Sequence, residues 1–249
     1  MNVASVKVTR VFPEGDAEEK EVLVVREHPL AVFVNGTKFA ELVCTPTNLL
    51  ELVAGRLLTG NVIEEKSEIA DIQFCETQRR AFVTLSHEVS FASGNAPEPT
   101  CCTGNRQFLT RADPNELPCL EKASWKKEHV FALAREFAKG SVVHTHTAGT
   151  HSCILAVEGK PVFTAEDIGR HNALDKAVGY MLLHDIPSQK AMLFTSGRVP
   201  VDMVEKVILA RIPILVSKSV PTAESAELAK SHGLTLIFRA WSDSFDVVG

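Results

Sequence analysis

The densest group of chemically capable side chains is a run of charged and amide residues between two apolar flanks. It spans residues 166–176 and reads Glu-Asp-Ile-Gly-Arg-His-Asn-Ala-Leu-Asp-Lys. On a helix that begins near Gly169, His171 and Asp175 are four residues apart and share a face. The positive end of such a helix is a natural anion site. A solvated helix start with ion pairs would have a similar composition, so both interpretations stay open on these residues alone.

A second polar turn, Thr195-Ser196-Gly197-Arg198, directly follows an apolar stretch. In an open α/β sheet, ligands bind in the crevice beyond the carboxyl ends of the strands. Ser196 and the Gly197 backbone can donate hydrogen bonds to phosphate oxygens there, and Arg198 can bind them through two parallel bonds. The alternative is an ordinary turn between a strand and a helix.

Two adjacent cysteines, Cys101 and Cys102, lie in a stretch that is rich in glycine and proline. A thiol on a mobile loop is exposed and can reach the thiol or persulfide of another protein, and the nearby Arg106 favours the thiolate. The alternative is an accidental pair of free thiols, although exposed free cysteines are usually avoided. Cys44, Cys75 and Cys153 have apolar surroundings, which predicts inert core thiols.

Histidines also cluster near the middle of the chain. His144, His146, His151 and Cys153 lie close enough in sequence to suggest a metal site. However, the first two would share a strand face while Cys153 points into the core, and the zinc deaminase pattern of H-x-E and P-C-x-x-C is absent. We therefore predict no metal site.

The elements that position these residues follow an α/β pattern over residues 122–249. Strand and helix signals alternate, with helices predicted at 124–139, 170–183, 200–210 and 222–232, and strands at 150–157, 161–165, 191–195, 213–217 and 234–239. Residues 1–87 form a smaller, strand-rich part with one helix, in which Asn35-Gly36 predicts a hairpin turn. Residues 88–121 lack periodic apolar positions, which predicts a mobile loop or linker that carries the cysteines.

Composition excludes several classes of protein. The 249 residues are 45% hydrophobic and 23% charged, with a formal net charge of −5, so no basic surface for nucleic acid is indicated. No run reaches the length needed to cross a bilayer. The first ten residues have no apolar signal core, so we expect a cytoplasmic protein that is not membrane-bound.

Taken together, these segments resemble one family, the formate dehydrogenase accessory proteins known as FdhD. The resemblance covers about residues 30–248, and the run at 166–176 is its most specific part. The further markers are Val34-Asn35-Gly36, Cys44-Thr45-Pro46, the stretch at 52–58, Gly149-Thr150-His151, Thr195-Ser196-Gly197-Arg198 and Val220-Pro221-Thr222.

The resemblance implies a cytidine-deaminase-like α/β core and a sulfurtransferase of the sulfur-carrier type. In that family, a cysteine desulfurase loads a persulfide onto a loop cysteine. The sulfur then passes to molybdenum bound by two guanine-dinucleotide pterins, and formate dehydrogenase receives the sulfurated cofactor. A homodimer is also implied, and a guanine nucleotide should mimic the bound cofactor.

The family's functional residues can be carried over position by position. Sulfur transfer falls to Cys102, with Cys101 as the alternative. The implied cofactor-binding residues are Gly169, Arg170, His171, Asn172, Ser196, Gly197, Arg198, Phe238, Arg239, Ala240, Trp241, Ser242 and Asp243.

This sequence departs from the family pattern at two places. The family loop often carries Cys-x-x-Cys, whereas here Asn105 follows Cys102 at that spacing, and Arg239 stands one residue early in the C-terminal segment. Two other functions therefore stay open. One is a molybdenum-cofactor chaperone that has lost sulfur transfer, and the other is a zinc-dependent hydrolase built on the deaminase-like core.

Overall fold

The protein is a mixed α/β structure, as the sequence predicts. The computed structural model describes residues 3–97, 103–111 and 116–248. Its α-helices are α1 (Leu49–Thr59), α2 (Lys127–Ala138), α3 (Val142–Thr147), α4 (Arg170–Leu183), α5 (Val201–Leu209) and α6 (Ala223–Ser231). In these parts of the chain, no helix is long and apolar enough to cross a membrane.

The first part of the chain forms a separate hairpin and a six-stranded sheet. The hairpin pairs β1 (Val3–Arg10) with β2 (Glu18–Val25). The sheet contains β3 (His28–Val34), β4 (Thr37–Cys44), β5 (Ile69–Phe74), β6 (Arg80–Leu85), β7 (Phe91–Pro97) and β8 (Arg106–Arg111), in the order β5-β6-β3-β4-β8-β7. Asn35 and Gly36 join β3 to β4 with φ angles of 46° and 81°, which confirms the predicted hairpin turn.

Strands β7 and β8 correct the prediction of a long loop over residues 88–121. They pair with each other, and β8 also pairs with β4. Residues Gly94, Asn95 and Pro97 disfavour strands, which is why the sequence pattern was misleading there. The register between the two strands shifts between Ser93 and Ala96, as a bulged strand does. The division of the chain into three parts stays a prediction.

The second part of the chain forms another six-stranded sheet. Its strands are β9 (His151–Val157), β10 (Lys160–Asp167), β11 (Ala191–Thr195), β12 (Ile214–Ser217), β13 (Thr235–Phe238) and β14 (Asp246–Val248), in the order β10-β9-β11-β12-β13-β14. Strands β11, β12 and β13 are parallel, and β9 is antiparallel to β11. The carboxyl ends of the three parallel strands and the start of β9 therefore meet at one edge. The likeness of this sheet to cytidine deaminases stays a prediction.

Helices cover both faces of the second sheet. Leu155, Leu193 and Leu215 face a large core that also includes α1, α4, α5 and the first sheet. The residues next to them in sequence, among them Ile154 and Phe194, face a smaller core under α2. Successive strand residues point to opposite faces, so these strands are apolar on both sides. Helix α4 is consequently enclosed, and most of its residues are buried.

Helix α3 contradicts the prediction that His144 and His146 share a strand face. Both histidines lie on this single short helix. The Glu166 carboxylate accepts hydrogen bonds from the backbone amides of Val143 (3.2 Å) and His144 (2.9 Å) at the start of the helix. The cap is therefore supplied by a residue on β10, which a local pattern does not reveal.

Helices α1 and α4 cross with their backbones in contact at two glycines. A methyl group on Gly179 would lie 1.8 Å from the Glu51 carbonyl oxygen, and one on Gly55 would lie 1.8 Å from the Asp175 carbonyl oxygen. Neither site can accept a side chain unless the helices move apart.

We therefore expect Gly179→Ala to destabilise the fold by about 2–3 kcal/mol, because the added methyl group overpacks the crossing. Helix propensity alone predicts the opposite sign, a gain of about 1 kcal/mol. Urea unfolding of the wild type and the variant measures the difference. A variant that unfolds at a higher urea concentration than the wild type would show that the crossing is not tight.

Candidate functional site

The start of α4 is organised around the buried carboxylate of Asp167. Its Oδ1 accepts a hydrogen bond from the Gly169 amide (3.0 Å), and its Oδ2 accepts one from the Thr45 amide (2.9 Å). Lys176, also fully buried, places its Nζ 2.7 Å from the same Oδ2. The sequence predicted a site for a ligand anion at the start of α4. The Asp167 carboxylate occupies that position, and the Gly169 amide is already hydrogen-bonded to it.

Asn172 extends this network towards the segment that follows the paired cysteines. Its side-chain amide donates to Asp167 Oδ1 (2.9 Å) and to the Val43 carbonyl oxygen (2.8 Å). Its Oδ1 accepts a hydrogen bond from Asn105 Nδ2 at 2.7 Å. A methyl group on Gly169 would also lie only 3.2 Å from the Thr103 side chain. The described residues after the cysteines thus lie against the first turn of α4.

Asp175 belongs to a second buried cluster, one turn further along the helix. Lys206 Nζ lies 2.9 Å from Asp175 Oδ2, Arg56 Nη1 lies 3.6 Å from it, and Thr59 donates to Oδ1 at 2.7 Å. Arg56 also donates to Gln107 on β8 at 3.1 Å. This cluster joins α1, α4 and α5 to β8, and its groups are enclosed rather than presented to a ligand. The interpretation of the run at 166–176 as a solvated surface is therefore wrong.

The turn after β11 meets the start of α4 at Gly197. A methyl group on Gly197 would lie 2.8 Å from the Arg170 side chain, so only glycine allows this approach. Ser217 at the end of β12 donates to the Gly197 carbonyl oxygen (2.8 Å), and the Gly197 amide donates to Thr195 Oγ1 (3.2 Å). Arg198 is exposed. The amide expected to bind phosphate is therefore used by the turn, whereas the Arg198 guanidinium faces solvent.

The C-terminal segment lies along the same edge of the sheet. The Ala240 amide donates to the Ser217 carbonyl oxygen (3.0 Å). Trp241 is 48% exposed, with Lys218 Nζ 5.0 Å from its ring centroid. Arg239 forms an ion pair with Asp246 at 2.5 Å. Gly197 thus touches Arg170 at the start of α4, and Ser217 connects Gly197 to Ala240, so parts of the three segments predicted to bind the cofactor lie side by side at this edge of the sheet, which we call the crevice.

His151 also lies at this crevice, although the sequence predicted for it only a place in a family marker and in a possible metal cluster. Its Nδ1 lies 3.0 Å from Ser196 Oγ, which also accepts a hydrogen bond from the Ser152 amide at 3.1 Å. Partial burial, followed by the charge of Arg170, lowers the pKa of His151. We therefore assign a neutral ring, in which one nitrogen donates a hydrogen bond and the other accepts one. The signal in the sequence was the marker Gly149-Thr150-His151, which opens the predicted strand at 150–157.

His171 points to the other side of the first turn of α4. Its Nε2 lies 3.0 Å from Asp202 Oδ2 at the start of α5, and its side chain is 1% exposed. The predicted face shared by His171 and Asp175 thus separates into two polar clusters, one at the first turn of α5 and one deeper in the core. His171 acts in the structure as a link between α4 and α5.

The cysteines have very different environments. Cys101 and Cys102 fall outside the described residues. Burial raises the pKa of the Cys44 thiol to about 12 and raises that of Cys153 even further. Cys75 is only partly buried, and a hydrogen bond with Thr77 lowers its pKa, so the prediction that it is an inert core thiol is wrong.

The histidine cluster does not converge. Cys153 is buried in the core, and His144 Nδ1 lies 2.7 Å from the Thr150 carbonyl oxygen. Across residues 3–97, 103–111 and 116–248, no three His, Cys, Asp or Glu side chains are grouped so as to hold a metal ion.

Comparisons with known proteins agree with this architecture. Residues 25–248 match the model of the FdhD/NarQ family. The chain is 34% identical to the sulfur carrier protein FdhD of Bacillus pumilus, over 98% of this chain and 95% of that one. It is 30% identical to the protein of that name in Bacillus subtilis, over 97% and 95% of the two chains.

A solved structure agrees as well. A crystal structure described as a formate dehydrogenase accessory protein, from Desulfotalea psychrophila, superimposes with a TM-score of 0.79 at 26% identity. It covers 99% of this chain and 96% of that one. The two proteins therefore share the same mixed α/β fold. The chain belongs to the FdhD/NarQ family.

Proposed function

We propose that this chain is a sulfur carrier that takes persulfide sulfur from a cysteine desulfurase and transfers it to the molybdenum bis-guanine-dinucleotide cofactor of formate dehydrogenase. The observation that carries the proposal is the position of Thr103, the first described residue after Cys102, against the start of α4 at the crevice. The name shared by the relatives supports sulfur carriage. We further propose that the protein acts in the cytoplasm as a homodimer, which light scattering of the purified chain tests.

The sulfur reaches the carrier by thiol–persulfide exchange. The Cys102 thiolate attacks the outer sulfur of the desulfurase persulfide, the sulfur–sulfur bond on the desulfurase breaks, and its cysteine leaves as a thiolate. On delivery, the new sulfur–sulfur bond on Cys102 breaks and the Cys102 thiolate is regenerated. The departing sulfur atom becomes a sulfide on the molybdenum, and the reduced metal supplies the electrons.

The crevice offers groups suited to the guanine-diphosphate arms of that cofactor. Arg198 is exposed and can form charged hydrogen bonds with phosphate oxygens. The neutral ring of His151 can add a hydrogen bond without a full charge. The exposed ring of Trp241, with Lys218 beside it, offers a stacking surface for a base. The amides of Gly169 and Gly197 are already hydrogen-bonded within the protein, so these side chains are the groups that can bind a ligand.

Arg198→Ala is expected to weaken the binding of GDP by about 1.5–3 kcal/mol, because a charged hydrogen bond to phosphate is lost. Isothermal titration calorimetry measures this difference. Arg135→Ala is the matched control, because Arg135 is exposed on α2, the helix that packs against the other face of the sheet. The binding site would be contradicted if GDP gave no heat with the wild type and also failed to compete with the bound molybdenum cofactor.

One observation favours a second function. Asn105 stands where the family loop often has its second cysteine, which is compatible with a cofactor chaperone that no longer transfers sulfur. Such a protein would bind GDP but would not accept persulfide sulfur. Trapping of persulfides with an alkylating reagent after exposure to a desulfurase separates the two functions, since only the carrier is labelled on its loop.

A further inference from the structure

Asn105 is fully buried, and both ends of its side-chain amide are used. Its Oδ1 accepts hydrogen bonds from the Val43 amide (3.0 Å) and from Thr103 Oγ1 (3.1 Å). Its Nδ2 donates to Asn172 Oδ1 at 2.7 Å. The residue therefore links three elements: strand β4, the segment that follows the paired cysteines, and the first turn of α4.

These side-chain bonds begin where the backbone ladder ends. Strand β8 pairs with β4 through Glu41 and Arg106, and the pairing stops there. Further along β4, the Val43 amide binds Asn105 and the Val43 carbonyl oxygen binds Asn172. The side-chain amides of Asn105 and Asn172 thus make the hydrogen bonds that a neighbouring strand would make with Val43. They hold the residues just before β8 near the crevice instead of along the sheet.

An amide suits this position for a chemical reason. It donates and accepts at the same time, whereas a carboxylate only accepts, and a thiol is a weak donor and acceptor. A carboxylate at 105 would also face the Asn172 oxygen and lie close to the negative charge of Asp167. The amide neither titrates nor forms a persulfide, so its contribution to sulfur transfer is geometric.

We propose that Asn105 is a positioning residue for sulfur delivery, which holds the segment after Cys102 on the first turn of α4, beside the cofactor crevice. This inference rests on the proposed function. Loading by a desulfurase requires only an exposed thiol, whereas delivery requires that the thiol be held in register with the bound cofactor. Loss of the anchor should therefore slow delivery and leave loading unchanged.

The test measures loading and delivery on the same preparation of the full chain. Asn105→Ala should accept sulfur from a desulfurase at the wild-type rate and bind GDP with unchanged affinity. Its rate of formate dehydrogenase activation should fall on the order of tenfold to a hundredfold, as expected for a misplaced reacting group. Normal loading and GDP binding show that the variant is folded, so general destabilisation would not produce this split.

Two more variants sharpen the result. Asn105→Cys restores the Cys-x-x-Cys spacing but removes the amide, so its delivery should fall as far as that of Asn105→Ala. Gln189→Ala removes an exposed amide elsewhere and should change nothing. Wild-type delivery by either Asn105 variant would overturn the positioning role.

If both Asn105 variants fail to fold, Thr103→Val provides the test, because it removes one hydroxyl bond to Asn105 and keeps the shape. It should slow delivery selectively, and unchanged delivery in this variant would also overturn the role. Failure of the wild-type protein to load or deliver sulfur would instead refute the proposed function, which keeps the two failures distinct.

Discussion

Cys102→Ser is expected to abolish activation of formate dehydrogenase while GDP binding is retained. A serine hydroxyl cannot carry a persulfide, and among the other cysteines only the adjacent Cys101 shares the predicted position on the loop. Cys44 and Cys153 are buried with raised pKa values, so their thiolates are neither formed nor reachable at neutral pH. Formate dehydrogenase activity after co-expression with each variant, and calorimetry with GDP, measure the two properties separately.

The strongest control for this experiment is Cys75→Ser. Cys75 is partly exposed and a hydrogen bond with Thr77 lowers its pKa, so it forms a thiolate more readily than the buried Cys44 and Cys153. If exposure and acidity alone defined the carrier, this variant would be inactive, whereas we expect full activity. Cys119→Ser, at an exposed site, should likewise have little effect.

The neighbouring Cys101 determines how a surviving activity is interpreted. If Cys102→Ser still accepts sulfur and still activates the enzyme, the assignment to Cys102 is wrong. The double variant with Cys101→Ser then distinguishes a carrier role for Cys101 from a failure of the sulfur-transfer mechanism as a whole.

Lys176→Met should destabilise the protein by about 3–5 kcal/mol, because it leaves the buried Asp167 carboxylate without its cation. The Lys176 Nζ lies 2.7 Å from Asp167 Oδ2 and 2.8 Å from Thr45 Oγ1, and both charged side chains are fully buried. Methionine nearly preserves the volume, so the effect reports the lost charge rather than a cavity. Urea denaturation measures the free energy of unfolding.

Lys139→Met is the matched control for that prediction. Lys139 forms an ion pair with Glu136 at 2.6 Å, but its side chain is 69% exposed. A surface pair of this kind contributes about 0–1 kcal/mol, so this variant should unfold close to the wild type. Equal destabilisation by the two substitutions would show that the ion pair at the start of α4 is not buried in solution.

Elements with strong local signals were predicted well from the sequence. Helix α4 was predicted at 170–183 and strand β11 at 191–195, and both have those bounds in the structure. A polar run that opens between apolar flanks identifies the helix, and an unbroken apolar run followed by a polar turn identifies the strand. The one helix predicted in residues 1–87 is α1, which begins at Leu49 after Asn48 in a left-handed conformation.

Elements that depend on distant partners were not predicted. Helix α3 needs the Glu166 carboxylate as its cap, and β7 and β8 are stabilised by pairing with each other and with β4. Cooperative pairing of this kind overrides weak local propensity. Histidines at alternate positions in sequence were consequently taken for a strand.

The candidate site shows the same division. The sequence predicted that the runs at 166–176 and 195–198 lie at one edge of a sheet, because the carboxyl ends of parallel strands meet there. It did not reveal which polar groups are already used in hydrogen bonds within the protein. Asn105 was noticed only as a departure from a family pattern, since its partners Val43 and Asn172 are 62 and 67 residues away in the chain. His151 was missed for a similar reason, as Ser196 is 45 residues away.

Mass spectrometry of the full chain after incubation with a cysteine desulfurase and free cysteine tests the central claim most directly. The predicted result is a gain of one sulfur atom, located by peptide mapping to Cys102 and reversed by a thiol reductant. A chain that gains no sulfur under conditions in which the desulfurase itself carries persulfide would contradict sulfur carriage, whereas sulfur located only on Cys75 or Cys119 would contradict its assignment to Cys102.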